Sequence, residues 1–158
     1  MIEPTLSGHE ELIAAVVTLL GESKLSVKAL VPQLDARLWE DNGVAEALRH
    51  FLVGHSRAQA TICVQDISAT RPGTARLLDL VERVPSRCEL RLAAREHADL
   101  TESFLLFDDR HYLRQAASGE RLWKSHAHPP NEAARLTSLF DEVWQYAQPH
   151  PDLRRLNL

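Results

Sequence analysis

Leu12, Ile13, Val16, Val17, Leu19 and Leu20 return to one side of a cylinder every three or four residues, so the first apolar stretch reads as an amphipathic helix. Ser7 and Glu10 have capping-box spacing ahead of it and Gly21 stands at its end, which predicts a helix over about 8–21. "LSVKALVP" at 25–32 is rich in Val and Leu and closes on Pro32, as a strand does. Behind Asn42, a residue able to cap, Val44, Leu48, Phe51, Leu52 and His55 restore the helical spacing and predict a helix over 43–55. "QATICVQDI" at 59–67 is a near-continuous apolar run of strand length, which predicts a central strand covered on both faces.

Past the polar turn "SATRPG", Leu77, Leu78, Val81 and Val84 predict a helix over 74–84 that Pro85 ends. "RCELRLAA" at 87–94 alternates as a strand. "SFLLFD" and "HYLRQA" flank Asp109 and Arg110 as the arms of a hairpin, although its turn lacks the favoured glycine. Ala133, Leu136, Phe140, Val143, Trp144 and Ala147 predict a last helix over 130–147, with Pro129 and Pro130 suited to its first turn. Strands alternating with helices predict an α/β fold: a three-layer sandwich with a mixed, mainly parallel sheet, to which the hairpin adds antiparallel strands. The whole chain, 1–158, is expected to form a single domain.

Composition narrows the class of protein. With 44% hydrophobic and 25% charged residues, the chain is neither disordered nor fibrous in character. Its longest apolar segment, "LIAAVVTLL", is half of the roughly 20 residues a membrane span needs. The N-terminus lacks the pattern of a secretory signal, so a cytoplasmic location without membrane insertion is expected. Cys63 and Cys88 lie in apolar, strand-prone runs with no metal-ligand spacing around them, which predicts two buried, unbridged thiols. The net charge of −4 gives no global attraction to nucleic acid but leaves room for a local basic face.

The segment "DLTESFLLFDDRHYLR" at 99–114 poses the functional question. Together with the element order and the final "PPNEAARLTSLFDEVWQ", it resembles one half of the phospholipase D superfamily over roughly residues 24–148, and more narrowly a bacterial branch found alone or attached to an acetyltransferase. In that superfamily a strand carries His, any residue, Lys, four residues and Asp, and a polar residue precedes the last helix. Matching Asp108 to the motif aspartate puts Thr101 at the histidine position and Ser103 at the lysine position, and no His-x-Lys occurs anywhere in the chain. The family's histidine attacks phosphorus and its lysine neutralises phosphate charge, and threonine and serine do neither there. The resemblance therefore implies a degenerate, non-catalytic half-domain.

Other constellations carry weaker chemistry. His126, His128 and Asn131 cluster before the last helix, but a metal site needs a third ligand, for which His97, Asp108 and Glu132 are the candidates; no metal or cofactor is expected. "DISATRPGTAR" at 66–76 enters a helix with Asp66 and Arg71, where free amides attract anions, but it matches no P-loop. Arg110, Arg114, Arg121 and Lys124 make a basic stretch; Trp39, Trp123 and Trp144 are aromatic groups for stacking or for covering the sheet. The ligand-binding candidates are Asp66, Arg71, Thr101, Ser103, Asp108, His126, His128 and Asn131. The expected role is a non-catalytic binding or regulatory module for a phosphate-bearing ligand, a nucleic acid or a protein partner. The alternatives are a hydrolase built on His126, His128 and Asp108, or a structural dimerisation module. The superfamily builds its site from two halves, which implies a homodimer, with Phe104, Phe107, Tyr112 and Trp123 forming an exposed pairing patch.

Overall fold

A computed structural model describes residues 6, 8–66, 75–115, 124–126 and 130–149. Six strands form one mixed sheet: β1 (Ser26–Val31), β2 (Gln59–Val64), β3 (Cys88–Leu92), β4 (Ser103–Phe107), β5 (His111–Gln115) and β6 (Lys124–His126), in the order β3-β2-β1-β4-β5-β6. β1, β2 and β3 are parallel, while β4, β5 and β6 continue the sheet antiparallel. The antiparallel half is as large as the parallel half because β6, which has no clear signature in the sequence, extends the hairpin.

The register defines two edges. Val31, Val64 and Leu92 end the parallel strands on the edge where β4 starts at Ser103 and β5 ends at Gln115, here the carboxyl edge. Ser26, Gln59, Cys88, Phe107 and His111 lie toward the opposite, amino edge.

Period-2 alternation splits the strands between two cores. Val27, Ala29, Ala60, Ile62, Leu105 and Phe107 face α1 (His9–Glu22), α3 (Asn42–Gly54) and α4 (Ala75–Arg83). Leu30, Cys63, Phe104, Leu106 and Tyr112 face α5 (Pro130–Tyr146), whose Ala133, Leu136, Phe140 and Val143 cover them. Helices on both faces make the three layers that the sequence pattern predicts. No helix among the described residues is long and apolar enough to cross a membrane.

Local chemistry moves several boundaries. Asp41, not Asn42, caps α3, its carboxylate accepting from the Val44 N–H at 3.1 Å. Ser7 lies outside the described residues; Gly8, with φ 98, holds the cap position of α1 without a side-chain bond. α1 runs through Gly21 to Glu22 and ends where the Ser23 hydroxyl donates to the Leu19 carbonyl at 2.6 Å. A short helix, α2 (Ala36–Trp39), is started by Asp35 accepting from Arg37 N–H, and it buries Trp39 in the first core.

The predicted pairing patch is corrected. Phe104 is 0% exposed, Phe107 1% and Tyr112 0%, so these rings are interior, and the need for a partner to cover them disappears. Phe107 belongs to the core that the sheet shares with α1, α3 and α4, and Phe104 and Tyr112 to the core under α5. Trp123 lies outside the described residues. Trp144 stacks on Phe140 with ring centroids 5.5 Å apart and receives the Arg91 guanidinium over its face at 4.1 Å.

Cys63 and Cys88 are free and buried, as the sequence predicts. They face different cores, and Cys63 is in register with Arg91 rather than with Cys88, so the sheet holds the two sulfurs apart. Burial pushes each thiol up to about 12. Neither should react with a thiol reagent at pH 8 in the native state, whereas both should react once urea unfolds the chain. Because the unfolded thiols ionise near 9.0 and the folded ones do not, native stability should fall as pH rises through the interval from 9.0 to about 12. A thiol titration on native protein checks this, and rapid labelling of either cysteine at pH 8 contradicts it.

Candidate functional site

The acidic pair at the hairpin tip folds without glycine because both aspartates adopt the left-handed region, Asp108 and Asp109 each at φ 56. Asp tolerates this conformation better than most residues. Arg110 N–H donates to the Phe107 carbonyl at 3.1 Å and closes the turn. The Asp108 carboxylate then reaches the start of β1, where Oδ1 accepts from the N–H groups of Leu25 at 2.8 Å and Ser26 at 3.0 Å, and Oδ2 from that of Lys24 at 3.0 Å. Partial burial pushes its pKa up, but the amides of Ser26, Leu25 and Lys24, with the charge of His111, outweigh burial and hold the carboxyl below the usual carboxylate range. Asp109 accepts from Lys28 Nζ at 2.9 Å and so ties the turn to the middle of β1.

This geometry separates the candidates. Ser103 begins β4 at the carboxyl edge and Asp108 follows its end, about 17 Å away at roughly 3.4 Å per residue. Asp108 is thus an anchor between the hairpin and β1, set apart from Thr101 and Ser103. Thr101 is exposed just ahead of β4, and Ser103 is 5% exposed, facing the first core. The backbone of His126 lies opposite Tyr112 in β6, two strands from Asp108. His128, Arg71 and Arg121 lie outside the described residues. Asn131 is exposed in the first turn of α5, and Asp66 is exposed just past β2, its N–H donating to the Pro32 carbonyl at 2.9 Å. Among the described residues no group of three His, Cys, Asp or Glu side chains is placed to hold a metal ion.

The carboxyl edge is instead organised by groups that the sequence did not single out as a unit. Glu102, next to Ser103, accepts from Arg135 Nη2 at 3.1 Å; Glu132 accepts from Arg135 at 2.5 Å and from Arg114 Nη1 at 3.0 Å. Glu132, opposed by partial burial and seconded by Glu102, holds the Arg135 guanidinium above its ordinary value. The chain of ion pairs joins β4, β5 and the first turns of α5. Gln65, buried at the end of β2, donates its amide to the carbonyls of His97 at 3.1 Å and Leu100 at 2.8 Å, which fixes the segment leading into Thr101. Only the Glu132 to Arg135 spacing of three residues on one helix was visible in the sequence. At this edge the motif positions thus offer hydroxyls in place of imidazole and ammonium, beside two guanidinium groups already held by carboxylates.

A mixed sheet with the motif strand beside β1, a hairpin turn after it and a final helix across the second face defines the phospholipase-D-like fold. Solved structures agree. NucT from Helicobacter pylori superposes with a TM-score of 0.59 at 8% identity, over 89% of this chain and 92% of that one. Nuc from Salmonella typhimurium, a phospholipase D family member, gives 0.54 at 11% identity over 87% and 89%. TrmBL2, an archaeal chromatin protein with a novel mode of DNA binding, gives 0.58 at 12% identity over 94% of this chain and 52% of its own, so the chain spans about half the length of that protein. At these identities the likeness is one of fold. None of the curated proteins matches the chain. Within this fold the chain belongs to the family described as a domain of unknown function, DUF7931, which matches over residues 8–156.

Proposed function

We propose that the protein is a non-catalytic, phospholipase-D-like binding or regulatory module whose ligand carries phosphodiester groups, nucleic acid foremost. The observation that carries this reading is the pair Thr101 and Ser103 at the two catalytic positions of the motif strand, one exposed and one packed against the core. Neither side chain supplies a nucleophile activated for attack on phosphorus or a cation to stabilise the charge that develops there. The nearby Arg114 and Arg135 are engaged by Glu132 and Glu102. The archaeal chromatin protein among the structural neighbours, described by its DNA binding, supports a nucleic-acid-binding role on this fold.

Incubation with a generic phosphodiester such as bis(p-nitrophenyl) phosphate should release no product above the uncatalysed rate. Turnover that Thr101→Ala or Ser103→Ala abolishes would overturn the non-catalytic reading. Retention of labelled DNA at low ionic strength, weakening as salt rises, is the expected binding result.

A further inference from the structure

The amino edge of the sheet has a charge balance opposite to that of the whole chain. Lys24 and Leu25 lead into β1, Arg57 stands two residues ahead of β2, and Arg110 follows the acidic pair at the hairpin tip; all four side chains are exposed, Leu25 at 56%. Hydrogen bonds hold their segments together. Gln59 N–H donates to the Leu25 carbonyl at 3.0 Å, and the Lys24, Leu25 and Ser26 amides converge on Asp108. The strand order places the three cations in sequence across β2, β1 and the β4–β5 turn. With about 4.8 Å between strands, they define a track on the order of 10–15 Å.

The carboxylates of the hairpin tip offset these cations only in part. Asp108 is turned to three backbone amides, and Asp109 takes Lys28 Nζ. Glu22, exposed in the last turn of α1, is the acid that remains beside Lys24. Farther along the edge Arg87 donates to the carbonyls of His55 and Ala58. Part of the positive charge answers the negative ends of α1 and α3, behind Lys24 and Arg57. That account does not reach Arg110, which follows no helix.

We propose that Lys24, Arg57 and Arg110 form a contact track for the phosphodiester backbone of a nucleic acid, on the edge opposite the degenerate motif positions. This rests on the proposed binding role and names its partner and its surface. A linear polyanion fits a line of separated cations, and contacts to phosphates alone position a protein without reading sequence, so binding is sequence-independent.

Anisotropy with short labelled single-stranded and duplex DNA tests the track. For wild type, log affinity should fall with log salt with a slope of about −2 to −3, as three phosphate contacts require. K24E/R57E/R110E should weaken binding at least about tenfold, the scale that loss of three such contacts sets. R95E, a charge reversal at an exposed residue in the turn that follows the end of β3 at the carboxyl edge, should leave binding unchanged. If the triple variant does not fold, R57Q/R110Q should still flatten the salt slope. Wild-type affinity in the folded triple variant overturns the track, and loss of binding in R95E alone moves the site to the other edge while sparing the binding role. No retention of either DNA by wild type at low salt sinks both, and tighter binding of labelled polyglutamate than of DNA replaces the nucleic acid with an acidic protein.

Discussion

Phe104→Ala should lower the stability of the protein by about 3–5 kcal/mol, the range for truncating a large aromatic side chain in a packed core. Phe104 is 0% exposed in the centre of the sheet, in register with Leu30 on one side and Arg114 on the other, and the core under α5 closes over it. Little can collapse into the space left behind, because the neighbouring positions are fixed by strand pairing on both sides. Urea unfolding followed by tryptophan fluorescence should show an earlier midpoint with an unchanged slope. Sedimentation should show the same oligomeric state for variant and wild type. A cost under about 1 kcal/mol together with a change in assembly would mean that the ring belongs to a subunit interface after all.

Asp108→Ala should cost about 2–3 kcal/mol, because it strips the acceptor from three backbone N–H groups and places alanine at positive φ. Asp108→Asn should recover part of this, since asparagine tolerates the left-handed region and keeps one carbonyl oxygen for the Leu25 and Ser26 amides. The pH dependence has a definite sign. The folded carboxyl sits below the unfolded value of 3.8, so its contribution is complete above that value and is lost as pH falls through the lower folded one. Acid titration of stability should therefore be steeper for wild type than for Asp108→Asn. Identical acid arms for the two proteins would show that the carboxylate charge plays no part in holding the hairpin to β1.

The element order was largely open to sequence reading because six helices and strands in the first two thirds of the chain show either a clear period or an apolar run of strand length. α3 and β2 are examples, predicted to within a few residues. α2, with four residues, is too short for a 3.6-residue period to register, and it depends on the Asp35 cap and the burial of Trp39. β6 has three residues and exists through its pairing with β5. The pairing patch failed for a different reason. A hydrophobic run reports that a residue is apolar, but whether its cover comes from α5 of the same chain or from a second copy is decided only by where that helix lies.

The sequence by itself determined the class of fold, the apolar surroundings of the two thiols, and the absence of a His-x-Lys pair, which needs no coordinates to be seen. The tertiary structure decided the roles. Asp108 reads as a motif residue in one dimension, but its partners lie 82–84 positions away, and they make it an anchor. Glu102 meets Arg135 across 33 positions because α5 starts beside β4, and Lys24, Arg57 and Arg110 share an edge because β2, β1 and the β4–β5 turn are neighbours. Periodicity is local information carried by neighbouring side chains. Strand order and register are global, and they alone bring charges from distant parts of the chain onto one edge.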